Sequence, residues 1–474
     1  MFFDVDKKIN DLMIELHNSE DVSSRFFDNG NIRLGMIFLK SMTDDALFSD
    51  AIYKPIKEFK GEITVENLIN RILINGAVNE IKQEEVIDKI LKGNVVIFLS
   101  NDEKIIAADI EDFIMRVPTE PPTSPVIRGP REGFTEDIKT NISLLRRRFY
   151  TKEFVVKSYS VGKYSQTKVC LVYLNGIADQ KIVQEIEKKI KKIDIDGVVD
   201  AYYVGKFLEE RPKSLFKQVG NAEKPDIIAG KILEGRVGII VDGSPIVLTF
   251  PFVFFEDMQN SNDYYTNNHY ATYIRFIRLF GYMLSVIACG AFLALRLFHY
   301  NVIPTKFLIT IANTTQVIPF TPFIELLFII LLFQILYEVS LRLPSYLGLA
   351  TSIVGALILG ETGVNAGLIS PPGVIVVALA KIAVYTLPEQ APQITVLQIL
   401  FLFLGGCFGL YGVVAGIFYL VNYLNRIDSY GAPYLAPYSP RVCSDLKDAM
   451  IKKSLVDMKK RPMSFENQNI VRQK

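Results

Sequence analysis

The sequence predicts an α+β N-terminal region of two duplicated small α/β lobes, followed by an α-helical polytopic membrane domain. Three observations predict it. Charge density collapses near residue 275: from Phe323 to Leu424 the only acids and bases are Glu325, Glu338, Arg342, Glu361, Lys381 and Glu389, whereas the run from Lys181 to Lys192 is mostly charged. The stretch Leu91-Lys92-Gly93-Asn94-Val95-Val96-Ile97-Phe98-Leu99 is echoed by Leu233-Glu234-Gly235-Arg236-Val237-Gly238-Ile239-Ile240-Val241. A proline-rich stretch, Val117-Pro118-Thr119-Glu120-Pro121-Pro122-Thr123-Ser124-Pro125, separates the two.

Length and composition bound the reading. At roughly 150 residues per domain, 474 residues make two to four folding units. Half the residues are hydrophobic and 22% are charged, which excludes a disordered or collagen-like chain. A mean hydropathy of +0.25 is high for a cytosolic enzyme. With 52 basic and 51 acidic residues the net charge is +1, so nothing global attracts nucleic acid and no nucleic-acid partner is expected. The opening MFFDVDKKINDLMIELHNSE lacks the 7–15-residue apolar core of a signal peptide, so the N-terminal part is expected in the cytosol.

Residues 1–117 form the first lobe, in the order strand (32–39), helix (45–59), further strand and hairpin. Residues 118–134 form a stiff extended linker ending in Arg128-Gly129-Pro130-Arg131-Glu132-Gly133-Phe134, an inter-lobe motif. The second lobe, 135–265, opens with a helix capped at Thr135 and carrying a buried stripe of Ile138, Ile142, Leu145 and Phe149; Arg146 to Arg148 at its end read as a solvated helix terminus. A strand (168–174), a helix (179–193) and a hairpin turning at Asp242-Gly243 follow.

Residues 266–430 contain five apolar blocks, at 276–298, 323–343, 346–368, 372–387 and 394–424. About 20 apolar residues satisfy every backbone group inside a bilayer when helical. Pro371 and Pro372 interrupt the third and fourth blocks, which are expected to form one broken or re-entrant element, leaving about four crossings. A basic tail, 431–474, is expected on the same cytosolic side as the N-terminus. Gly405, Gly409, Gly412 and Gly416 stand four, three and four apart, a spacing that lines up small residues for helix packing.

Ionisable groups in a bilayer are costly, so the few present are candidates for an ion path or gate. These are Glu325, Gln334, Glu338, Arg342, Glu361, Asn365 and Lys381, with Pro371 and Pro372 supplying irregular backbone. The competing reading makes them buried pairs that only fix helix packing. Cys170, Cys289, Cys407 and Cys443 are far apart, and His17, His269 and His299 are scattered, so no metal, cofactor or disulfide framework is expected. No GxxxxGK[ST], GxSxG or strand-borne GxGxxG occurs, and an enzyme is not expected.

Several ordered runs carry a family resemblance. Arg128 to Glu136, with Asn141-Ile142 and Arg146-Arg147-Arg148, is followed by Leu233-Glu234-Gly235-Arg236-Val237, Val241-Asp242-Gly243-Ser244-Pro245 and Asp263-Tyr264-Tyr265. Further on come Ile303-Pro304-Thr305-Lys306, Arg342-Leu343-Pro344, the run 353–360 and Gly431-Ala432-Pro433-Tyr434-Leu435. Together they resemble the spore germinant-receptor A-subunit (GerA) family over roughly 118–462. The resemblance implies an integral, multi-pass subunit in the spore inner membrane that triggers germination when nutrients are sensed. It implies a ring-like homo-oligomer acting as a nutrient-gated ion channel, surrounded by membrane lipid, with a transporter-like B subunit and a lipoprotein C subunit as partners. Tyr337-Glu338-Val339-Ser340-Leu341 and Thr314-Thr315-Gln316-Val317 depart from the family's usual form. A related spore-membrane channel subunit outside the receptors, a secondary carrier of a small solute, and a non-conducting scaffold stand as alternatives.

Overall fold

The computed structural model describes residues 4–28, 32–43, 45–59, 61–73, 77–109, 128–316, 318–343, 353–355 and 357–473. The proline-rich stretch at 117–125, Pro344 of the Arg342-Leu343-Pro344 motif and the start of the third apolar block lie outside these residues.

The first lobe is an antiparallel five-stranded sheet of β1 (Val22–Asp28), β2 (Arg33–Leu39), β3 (Ala77–Ile81), β4 (Val95–Leu99) and β5 (Ile105–Asp109), in the order β1-β2-β4-β5-β3. The second contains β6 (Phe154–Val161), β7 (Thr167–Leu174), β8 (Gly220–Ala222), β9 (Val237–Val241) and β10 (Val247–Phe250), in the order β6-β7-β9-β10-β8. Adding five to each strand number of the first order reproduces the second, so the duplication extends to topology. The sequence marks the β4–β5 and β9–β10 hairpins but not the leading strands β1 and β6. In β1 only Val22 is buried, so the edge strand carries no apolar alternation to detect.

Both sheets are covered on both faces, and alternate side chains along a strand reach opposite cores. Val95, Ile97 and Leu99 join one core while Val96 and Phe98 join the other. In the first lobe, α1 (Val5–Glu15) and α2 (Val86–Leu91) cover one face; the opposite face is closed by a helical stretch beginning at Asp45, which passes through a π-turn at Ser49–Tyr53. In the second lobe α3 (Ile138–Arg146) and α6 (Pro225–Leu233) cover one face, and α4 (Gln180–Ile190) and α5 (Ala201–Leu208) the other.

Two local details of α3 differ from the sequence reading. Its cap is Asp137, whose carboxylate accepts the Thr140 N–H at 2.8 Å, while the Thr135 N–H donates to Asn141 Oδ1 at 2.8 Å. Arg146 is not solvated but 2% exposed: its Nε and Nη2 donate to Asp21 at 2.7 and 3.0 Å, and its guanidinium lies over the Phe154 ring. Asp21 belongs to the first lobe, where the Glu20 N–H also donates to the Val156 carbonyl at 2.9 Å. This buried pair joins the lobes. Arg146→Met is expected to cost about 3–5 kcal/mol, because Asp21 is left as an uncompensated buried charge. Adding Asp21→Leu should return most of the loss, and thermal unfolding followed by circular dichroism reads both.

Among the described residues, three helical runs are long and apolar enough to cross a membrane: Asn268–Phe298 (α7), Pro322–Arg342 (α9) and Pro388–Asn425. Between α7 and α9 lies α8 (Thr305–Thr315); a shorter apolar run, Ile353–Asn365, and α10 (Pro371–Val384) precede the third, whose α-helix, α11, spans Ala391–Asn425. α11 is not straight. Gly409 adopts φ 61° and ψ −150°, a backbone state that side chains resist. A Cβ on Gly416 would lie 2.7 Å from the Leu404 side chain and 3.1 Å from the Phe401 ring. Fifteen positions along a straight helix would put Phe401 and Gly416 about 22 Å apart. α11 therefore folds back at Gly409 into two antiparallel limbs. Its base confirms this geometry: Glu389 and Tyr423 bond Lys217 and Ser214 of the second lobe at 3.0 and 3.2 Å.

Candidate functional site: polar groups among the apolar helices

Glu325, in the first turn of α9, is fully buried. Its carboxylate accepts from Arg296 Nη1 of α7 at 2.8 Å, from the Ser370 backbone N–H at 2.9 Å and from the Ser370 hydroxyl. Ser370 in turn caps α10, its Oγ accepting the Gly373 N–H at 3.1 Å. Pro371 and Pro372 fill the first positions of that helix, where no N–H partner is needed. One carboxylate thus joins three helices at the helix interruption just before Pro371. It neutralises a guanidinium and supplies an acceptor to backbone that has left regular helix.

The other polar groups lie elsewhere. Gln334, Glu338 and Arg342 form a stripe at intervals of four, half a turn around α9 from Glu325. Gln334 Oε1 accepts from Lys381 Nζ of α10 at 3.2 Å. Arg342 donates to Glu338 at 2.9 and 2.6 Å, and on this single chain both side chains are exposed, 79% and 52%. Glu361 and Asn365 are exposed on the shorter run, which ends before Gly367 at φ +66°. The positions named from sequence therefore divide into an interior station at Glu325, a half-buried Gln334–Lys381 pair and an outward group of Glu338, Arg342, Glu361 and Asn365.

Sequence reasoning missed Arg296, Ser370 and Gln398. Arg296 stands in the last turn of α7 and is the only base in that apolar stretch after Arg278, a signal that was available. Gln398 carries no charge to mark it, yet it is fully buried and donates to the Ser285 carbonyl at 3.2 Å across the α7–α11 crossing. Of the four glycines, Gly405 meets Gly290 of α7 backbone to backbone and Gly409 makes the bend. Gly412 and Gly416 face the preceding limb of their own helix.

A second polar layer joins the second lobe to the helix bases. Lys217 Nζ bridges Glu389 at 3.0 Å and Asp257 at 3.3 Å, and Gln390 donates to Asp257 at 2.5 Å. Behind it, Arg236 and Lys231 enclose Glu256. Burial pushes that carboxyl up, but the two cations outweigh burial and hold it at about 2. Asp263, 3% exposed, accepts from Arg275 at 3.1 Å and Arg278 at 2.7 Å on the first turns of α7. The tail returns to the same place: Asp448 accepts from Arg275 at 3.0 Å and from the Tyr264 hydroxyl at 2.9 Å, and the Lys452 N–H donates to Thr272 at 3.0 Å.

The Arg128 to Phe134 run packs on the second lobe. Glu132 accepts from Arg148 at 2.9 Å, the Phe134 N–H donates to the Glu223 carbonyl at 2.7 Å, and Gly129 leaves room for the Tyr265 ring. Tyr265 donates to Asp226 at 2.9 Å, and burial together with that carboxylate pushes its phenol up to about 12. Among the described residues no cluster of His, Cys, Asp and Glu is arranged to hold a metal.

Two α/β lobes carried on a set of apolar helices define a membrane protein with a large water-facing region. The model of the family described as Bacillus/Clostridium GerA spore germination protein matches residues 10–464, and the chain belongs to that family. It is 33% identical over 476 residues to spore germination protein KA of Bacillus subtilis (strain 168), covering 98% of this chain and 88% of that one. It is 32% identical over 475 residues to spore germination protein GerLA of Bacillus cereus, covering 97% and 94%. The N-terminal domain of the A subunit of the Bacillus megaterium spore germinant receptor GerK3 is a similar solved structure, 25% identical, with a TM-score of 0.41 over 53% of this chain and 95% of that chain.

Proposed function

We propose that the chain is the membrane subunit of a germinant receptor in the spore inner membrane, assembling with copies of itself into a nutrient-gated ion channel. Its lobes and tail face the cytosol, and transporter-like B and lipoprotein C subunits complete the receptor. The observation that carries this reading is the outward placement of Glu338, Arg342, Glu361 and Asn365 on otherwise apolar helical segments. Charged side chains facing hydrocarbon are costly, and contact between copies around an aqueous path removes that cost. Glu325 has a different role in this scheme: it holds α7, α9 and the start of α10 together, so that a movement of the lobes reaches the helix interruption before Pro371 as one body.

The test is neutralisation of the outward carboxylates. Glu338→Gln and Glu361→Gln receptors should assemble normally and release monovalent cations more slowly during nutrient-triggered germination. Normal release from both variants, with normal assembly, would refute the path. A purified channel should only dissipate an ion gradient across proteoliposomes. Concentrative, stoichiometric uptake of a solute would instead establish a carrier.

A further inference from the structure

The outer face of α5 is apolar and aromatic where a water-facing helix would be polar. Ala201, Val204, Gly205 and Leu208 turn inward; of the four outward residues, Tyr202, Tyr203 and Phe207 are aromatic and the fourth is Lys206. Tyr203 and Phe207 are each 46% exposed, and Leu215 in the following loop is 38% exposed. Exposed Arg211 and Lys213 flank them.

The position of this patch identifies what covers it. The first limb of α11, residues 391–408, is about 27 Å long, close to the ~30 Å hydrocarbon thickness of a bilayer. Its base at Glu389 and the end of the returning limb at Tyr423 therefore mark the boundary of the apolar layer. The patch is fastened to that boundary at several points. Asn221 donates both to the Tyr202 hydroxyl at 2.9 Å and to Glu389 at 3.2 Å. The Tyr423 hydroxyl donates to Ser214, next to Leu215, at 3.2 Å. At the other end of α5, the Tyr430 hydroxyl, just beyond α11, donates to the Leu208 carbonyl at 2.7 Å. Held at both ends beside helix bases, α5 lies along the boundary.

We propose that the outer face of α5 and the Arg211 to Leu215 loop form a lipid-docking surface, seated in the headgroup layer of the membrane that the helices cross. Tyrosine and phenylalanine rings suit the interface between hydrocarbon and headgroups, and Arg211 and Lys213 are placed to meet lipid phosphates. The second lobe is thereby held to the bilayer by its own surface as well as by its links to the helices.

The chain has no tryptophan, so one introduced residue is a unique fluorophore. Tyr203→Trp, Phe207→Trp and, as a control, Tyr150→Trp are compared in the full-length protein in phosphatidylcholine nanodiscs, with and without lipids brominated near the carbonyl end of the acyl chains. Tyr150 is exposed beside β6, the sheet edge opposite β8. Bromine should quench the first two about twofold, as shallow burial of 5–10 Å requires, and leave the control unchanged. Unquenched, water-like emission from both test positions would overturn the proposal. Unquenched but blue-shifted emission would also overturn it, by showing that a protein surface covers the patch. Having two independent test positions guards against a fold-disrupting substitution at either one.

Discussion

Replacing Glu325 by alanine is expected to be among the most damaging single changes in the membrane helices, costing about 3–5 kcal/mol, the range for breaking a buried ion pair from one side. The change leaves the Arg296 guanidinium, whose side chain is 11% exposed, without its carboxylate, and removes the acceptor from both the Ser370 N–H and its hydroxyl. Glu325→Gln should lose less, since an amide oxygen still accepts from Ser370 while the charge opposite Arg296 disappears. Glu325→Ala combined with Arg296→Met should recover part of the loss, because no buried cation then remains; the unsatisfied Ser370 N–H prevents full recovery. Thermal unfolding of the detergent-solubilised protein orders the series. Equal stabilities for the alanine single and double variants would mean that Arg296 draws nothing from Glu325.

Gly405→Leu should separate α7 from α11. A Cβ at Gly405 would stand 2.1 Å from the Gly290 carbonyl oxygen, and one at Gly290 would stand 2.2 Å from the Phe401 carbonyl oxygen. Both obstacles are main chain, which cannot rotate away as a side chain can, so the cost falls at the upper end for overpacking, about 3 kcal/mol. Cys289 provides the measurement: it is fully buried at this crossing, with Gln398 Nε2 3.6 Å from its sulfur. In a background where exposed Cys407 and Cys443 are serine, a maleimide should leave the parent protein unlabelled and modify Cys289 when Gly405 is leucine. A Cys289 that stays protected, with unchanged melting, would show that the crossing tolerates a side chain.

Much of the fold was legible because its signals are local. The echo between Leu91 to Leu99 and Leu233 to Val241 marks hairpins that occupy equivalent places in two sheets of the same strand order. The runs that carry the family resemblance also acquire physical roles: Asp263 receives Arg275 and Arg278, Tyr264 reaches Asp448, Tyr265 packs on Gly129, and Tyr434 is fully buried beneath the helix bases. The site was less legible. Gln334 and Lys381 stand out as polar residues in apolar segments, but nothing along the chain states that they face each other, and Arg296 stands in the last turn of its apolar run, where a base reads as an ordinary helix end. The glycine spacing in α11 suits a single straight face, while Gly409 turns the chain back, so glycines counted as one stripe divide between two neighbours.

What the sequence by itself determined is partition: which half of the chain enters lipid, and which segments repeat. Both follow from properties that add residue by residue, so a linear reading recovers them. Tertiary structure alone decided the pairings. Arg146 is buried against Asp21, 125 positions away, and Glu325 meets Ser370, 45 positions on. The reason is that the cost of burying a charge is fixed by its own chemistry, whereas its compensation depends on the path the folded chain takes to bring a distant partner within hydrogen-bonding reach.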